Sequence, residues 1–175
     1  RTSPQNLLQN LKDAYEKREL TPYDSLFATD FEFYFSEDDQ QIAEKLTRAE
    51  EITVHEHMFG AQNVQSLVVD FPPGPPMVDT GAPDLRNPGQ FLWTMMITNV
   101  DLELRATYYQ GQTMTYRVED GIEQFWFRQE SWTDGYGDRI WTIVRWKELD
   151  LVPGYAARPM PPEDTSWGQI KSLWR

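Results

Sequence analysis

No cysteine occurs anywhere in the 175 residues. That removes disulfides, thiolate metal sites and a cysteine nucleophile from consideration, while leaving the compartment open. Basic residues are scarce as well: 16 Lys and Arg face 28 Asp and Glu, for a formal net charge of −12. Phosphate backbones and anionic lipids are bound through Lys and Arg that neutralise their charge, so neither a nucleic-acid partner nor membrane contact by this domain is expected. No apolar run approaches the ~20 residues that a bilayer-spanning helix needs. A nucleophile elbow, a phosphate-cradling glycine loop and a dinucleotide fingerprint are also missing, so no cofactor is implied. Histidine is limited to His55 and His57.

What the chain does have is aromatic bulk, 14% of its residues including seven Trp. Its length suits one domain able to bury a proper core. We read residues 1–175 as a single domain, with a core over about residues 3–150 and a proline-rich tail, 151–175, ending in a short helix.

Ser3-Pro4 is a helix start, and Leu7, Leu8, Leu11, Ala14, Tyr15 and Arg18 follow on one stripe of 3.6-residue period. Thr21-Pro22 begins a short second helix with Tyr23, Leu26 and Phe27 on its apolar face. Phe31 to Phe35 alternates at period two and is aromatic, which predicts a strand. Ser36 to Gln41 is a polar turn. Thr47-Arg48-Ala49-Glu50 fits a capping box that opens a third helix through Ile52, His55 and Phe59, stopped at Gly60. Val64 to Phe71 is a second strand.

The stretch from Pro72 to Gly89, dense in proline and glycine, is expected to be irregular, either a functional flap or a mobile insertion. Phe91 to Tyr109 predicts a long strand whose first half lacks clean alternation, the mark of a bulge or kink. Thr113–Val118, Ile122–Trp132 and Ile140–Leu149 complete a meander, with turns at Asp120-Gly121 and at 133–138. In the tail, Trp167, Ile170 and Trp174 recur at helical spacing.

Two stretches carry a resemblance. Leu8 to Tyr15, leading into Ser25-Leu26-Phe27-Ala28-Thr29-Asp30 and the aromatic strand, is similar to the opening of the nuclear transport factor 2-like (cystatin-like) superfamily. Trp141 to Trp146 resembles the last strand of that superfamily. The resemblance spans about residues 3–150. It implies an α+β fold in which a strongly curved antiparallel sheet wraps on the N-terminal helix and leaves an open cone. Superfamily members often dimerise through the open sheet, so a homodimer is an expectation too. More narrowly, Ser3-Pro4 and Ser166-Trp167-Gly168 look like a group of uncharacterised bacterial exported proteins, often lipoproteins. That likeness implies a periplasmic or cell-surface protein whose lipid-carrying cysteine precedes the domain, and the first residue, Arg1, fits a trimmed form.

Ketosteroid isomerases of this superfamily use a Tyr on the first helix and an Asp at the end of the first strand. Ungapped anchoring on Leu26-Phe27-Ala28 puts Leu11 and Phe35 there, and neither can move a proton. His55 is the first candidate for acid/base work, with Tyr34 or Asp101 as partner. The competing reading of His55 is a hydrogen-bonded core histidine. His57 lies about 200° around the helix from it and cannot share its site. Tyr15, Phe33, Trp93, Trp126 and Trp141 are the residues expected to line a cone for a small apolar ligand, and each is equally a core or sheet-face residue. Glu37-Asp38-Asp39 invites a calcium reading but lacks the alternating ligand pattern of a known loop. Asp134 to Asp138, which raises the same idea, is explained as well by a flexible hairpin loop, so no metal is expected.

Two functions lead, with a purely structural role in self-assembly as a third reading. One is a non-catalytic ligand-binding or protein-interaction module of an exported protein. The other is a small dehydratase, cyclase or isomerase working through the cone.

Overall fold

Ser3 accepts a hydrogen bond from the Asn6 amide at its side chain, and Pro4 fills the first helical position, so α1 (Pro4–Lys17) starts where the local chemistry places it. The computed structural model describes residues 2–36, 45–72, 74–107, 111–149 and 166–175. Helix α1 ends at Arg18, whose left-handed backbone closes the last turn and whose guanidinium donates to the Val64 carbonyl. Helix α2 (Leu20–Asp24) is shorter than expected. Leu26 lies beyond it, and Phe27 already opens β1 (Phe27–Tyr34).

A short strand, β2 (Lys45–Thr47), pairs with β1 and leads directly into α3 (Arg48–Gly60). The capping box is complete there: Thr47 accepts from the Glu50 amide, and Glu50 accepts from the Thr47 amide. The acidic run at 37–39 lies outside the described residues, as does most of the polar turn.

The remaining strands are β3 (Val64–Asp70), β4 (Met77–Pro83), β5 (Phe91–Thr107), β6 (Thr113–Thr133) and β7 (Arg139–Leu149). Their order is β2-β1-β7-β6-β5-β3, with β4 also on β5. Among the described residues every pairing is antiparallel except β1 with β7, which is parallel. The sheet is curved and does not close, and its inner face packs on α1 and α3. Inward residues from both layers form one core that includes Leu11, Tyr15, Phe33, Phe125, Phe127 and Trp146.

Two expectations are corrected. Asp120-Gly121 is not a hairpin turn, because β6 runs through it as one 21-residue strand. On β6, Glu119 and Asp120 fall between the partners of Val100 and Leu102. On β5, Thr98 and Asn99 fall between Ile97 and Val100, the partners of Glu123 and Gly121. These paired bulges put Asn99 and Asp120 at positive φ and bend the long strands. The expected bulge in β5 is there, but the turn signal in β6 was the same device.

The second correction concerns the stretch from Pro72 to Gly89. It contains β4, which shares one edge of β5 with β3, end to end. The following turn folds across the outer face of the sheet to β1, where Arg86 donates to Thr29. Proline fits here because an edge strand leaves half of its amides unpaired.

Helix α4 (Trp167–Ser172), capped by Ser166, returns to the core, where Trp167 and Ile170 are fully buried. The core therefore extends past residue 150 to this terminal helix. The proline-rich stretch at 153–162 lies outside the described residues.

Candidate functional site

The inner face carries a closed set of polar groups built from four helices. The spacing of α3 stacks Glu51 and His55 one turn apart on its inward side, α1 contributes Tyr15, α2 contributes Tyr23, and α4 brings Lys171 from the opposite direction. All five are fully buried. Lys171 Nζ donates to both oxygens of Glu51, at 2.7 and 3.0 Å. The Tyr23 hydroxyl donates to Glu51 Oε1 at 2.7 Å.

His55 Nδ1 donates to the Glu51 carbonyl at 2.8 Å, which fixes the tautomer and leaves Nε2 as an acceptor for the Tyr15 hydroxyl. Both tyrosine protons are thus committed elsewhere, and the 3.3 Å approach of the two hydroxyls is a secondary contact.

Burial decides the charge states. Desolvation takes the His55 imidazole down to about 4, against the opposing pull of Glu51, so it is neutral near pH 7. Desolvation also lowers Lys171, and Glu51 pulls it back up. Burial pushes Glu51 up, but Lys171, with His55 and Tyr23, outweighs it and holds the carboxylate below its ordinary range. Both tyrosines are pushed well up by burial and by the Glu51 charge. The result is one ion pair flanked by neutral, hydrogen-bonded groups.

The Lys171 ammonium also sits 3.2 Å from the centroid of the Phe33 ring, 4.6 Å from Trp146 and 5.3 Å from Trp167. Beyond it, Glu123 and Glu148 face each other across β6 and β7. Glu148 accepts from the Trp167 and Gly168 amides, anchoring the start of α4. Glu123 accepts from Trp146 Nε1 at 2.6 Å and is raised well above the carboxylate range by burial and by Glu148.

The residues singled out from sequence divide between places. His55 and Tyr15 meet, and Phe33 lies within the same chamber. Tyr34 does not join them: it is on the outer face, donating to Glu32 beside Arg145. Asp101 is exposed on β5, where it accepts from the Asp120 amide. Trp93 and Trp141 pack edge to face on the inner side, their ring centroids 5.8 Å apart. Trp126 is on the outer face, donating to Asp79 of β4 and lying against Arg145.

The positions aligned with isomerase chemistry, Leu11 and Phe35, are buried apolar side chains. His57 is on the exposed side of α3, bonded to the Trp174 carbonyl. In the 133–138 loop, the Asp134 carboxylate is taken up by the amides of its own turn.

Sequence reasoning missed Glu51, Lys171, Glu123 and Glu148. Signals for three of them were available. Lys171 shares the i, i+3, i+4, i+7 stripe of Trp167, Ile170 and Trp174. Glu51 is four residues before His55. Glu123 alternates with Phe125 and Phe127.

A second charged set lies on the outer face, with Arg128 and Asp84 buried and Asp30 exposed. Arg128 donates through Nε to both oxygens of Asp84, each at 2.9 Å, and through its terminal nitrogens to both oxygens of Asp30, each at 2.8 Å. This fork ties the turn after β4 down across the sheet. Asp84 is brought to about 2, Arg128, Asn87 and a backbone amide outweighing its burial. A surface cleft of about 290 Å³ between α1 and the end of β3, lined by Lys12, Asp70 and Phe71 among others, includes none of the expected ligand-binding residues.

No known protein-family signature and no curated protein matches this chain. Solved structures do. A conserved protein from Planctomyces limnophilus superposes with a TM-score of 0.56 at 13% identity, over 83% of this chain and 91% of its own. A candidate aromatic ring hydroxylase from Novosphingobium aromaticivorans gives 0.53 at 14%, over 85% and 87%. A nuclear transport factor 2-like protein of unknown function in nutrient uptake, from Rhodospirillum rubrum, gives 0.50 at 13%, over 86% and 99%. At such identities the likeness concerns architecture alone. The chain therefore has the nuclear transport factor 2-like fold, with its own C-terminal helix seated in the cone.

Proposed function

We propose that this domain is a non-catalytic binding or interaction module of an exported protein. The observation that supports this is the commitment of every acid/base group in the chamber. His55 is bonded through both nitrogens, Glu51 is neutralised by Lys171, and the tyrosine protons are used internally. A general acid or base must reach the proton that it moves. None of these five groups has any solvent exposure.

Chemical modification tests this directly. Diethyl pyrocarbonate acylates accessible neutral imidazoles, and the chain has only two histidines. Peptide mapping by mass spectrometry at pH 7 is expected to find His57 modified rapidly and His55 far more slowly, no faster than the chamber opens. Rapid modification of His55 in the folded protein would refute a closed chamber and revive catalysis.

That second reading has one specific observation behind it. A neutral imidazole accepting from a tyrosine is an acid/base pair ready for an elimination or isomerisation if α4 leaves. The assignment to an exported protein rests on the likeness of Ser3-Pro4 and Ser166-Trp167-Gly168 to exported bacterial proteins. A gene whose opening codons encode no signal peptide would remove it.

A further inference from the structure

The chamber beneath α4 is built as a cation receptor. One face of the Lys171 ammonium meets a carboxylate that accepts two hydrogen bonds from it, and the others meet the rings of Phe33 and Trp146. Glu51 and both of these rings belong to the cone, whereas the cation arrives on a six-residue helix from the other end of the chain. Without that cation the cone would contain a desolvated carboxylate with only Tyr23 and its own helix turn for company, a state that demands either a proton or another cation.

We propose that the chamber is a binding site for a small primary ammonium ion on an unbranched aliphatic stem, and that Lys171 is the built-in occupant which such a ligand displaces. This rests on the binding-module reading above and specifies its ligand class. The two bonds to Glu51 require N–H donors, so a primary ammonium is selected over a quaternary one. The buried methylenes of Lys171 mark a path for an aliphatic stem of the same length.

Helix α4 is suited to exchange. It is too short to be stable by itself, and it is held by Glu148, Lys171 and the apolar contacts of Trp167 and Ile170. Its docking also leaves an unmet demand: Trp167 Nε1 is buried and meets the Tyr15 hydroxyl only outside hydrogen-bonding geometry. Undocking returns that donor to water, so part of the loss is offset.

Two measurements on the full chain test the proposal. In Lys171→Ala, n-butylammonium is expected to raise the melting temperature saturably, by about 5 °C at full occupancy. Equal concentrations of n-butanol and tetramethylammonium should give less than a third of that shift. A flat response, or one matched by n-butanol, overturns the assignment.

In the wild type, amide exchange at 167–172 is expected to be at least tenfold faster than at Phe125 and Trp146. Added n-butylammonium should accelerate the α4 amides further without touching β6 and β7. Exchange of α4 only with global unfolding, unchanged by the amine, would make the helix a permanent wall and refute the displacement. It would leave the binding-module reading intact, with the outer surface as the remaining contact face. This second measurement needs no substitution, so an unstable Lys171→Ala does not block the test. Failure of the module reading itself would be recognised separately, by rapid acylation of His55.

Discussion

Replacing Lys171 with Met is the sharpest perturbation of this fold, because it keeps the apolar stem and deletes only the charge. At the observed 2.7–3.0 Å, with an effective dielectric constant of about 20, the attraction between Lys171 and Glu51 is about 6 kcal/mol before desolvation is counted. Removing one member of a fully buried pair leaves the other uncompensated, which costs about 3–5 kcal/mol. Glu51→Gln is expected to fall in the same range, since it strands the ammonium instead.

The double variant Glu51→Gln/Lys171→Met strands nothing, and should lie within about 1–2 kcal/mol of wild type. The coupling energy from urea unfolding at pH 7, followed by tryptophan emission, should thus reach at least about 2 kcal/mol. In Lys171→Met alone, the unpaired Glu51 is driven to hold a proton in the folded state. Its stability then falls as pH rises, so its deficit against wild type narrows from pH 8 to pH 5. Two single deficits that simply add in the double variant would refute the claim that these residues, 120 positions apart, act as one pair.

Other expectations follow from the same contacts. Arg128→Met strands the buried Asp84 carboxylate and should cost about 3–5 kcal/mol, and Arg128→Lys should not restore it because a point charge cannot fork to Asp30 and Asp84 together. Limited proteolysis of such a variant should cut first in the turn after β4; an unchanged cleavage pattern would deny the clamp.

His55 has an ordinary value of 6.5 and a folded value of about 4. Between these the unfolded chain binds the extra proton, so the contribution of His55 to stability is lost as pH falls from 6.5 to 4, by about 3 kcal/mol. Glu123, raised in the fold by burial and by Glu148, acts in the opposite direction above its ordinary range, so the test is the difference between wild type and His55→Gln against pH. A flat difference would show that His55 is not buried neutral. Thr47→Ala removes the cap of α3 and should cost about 1 kcal/mol in thermal unfolding; a loss below the error of the method would mean that Glu50 alone caps the helix.

Much of the scaffold was legible because its signals are local. Ser3-Pro4 and the Thr47–Glu50 box name helix starts through hydrogen bonds within three residues. The stripe from Leu7 to Tyr15 and the alternation of β1 and β7 follow from side-chain periodicity alone. Where a local signal has two structural uses, the sequence did not choose between them. Asp120-Gly121 suits a hairpin turn or a bulge equally, and only the matching bulge at Asn99 on β5 settles it as the second. Prolines in 72–89 exclude a central strand but permit an edge, and that edge exists because β5 is long enough to take both β3 and β4.

Composition and periodicity determined a helix-backed, aromatic-cored sheet with no thiol chemistry and an acidic surface. The tertiary structure decided that the cone is occupied, and by what. Asp30 reaches Arg128 across 98 positions and Glu51 reaches Lys171 across 120. A charged residue within an apolar stripe is written identically whether it ends in water or against a carboxylate. Which of the two occurs depends on the partner that folding brings to it, because a buried charge is tolerated only where that partner is already in place.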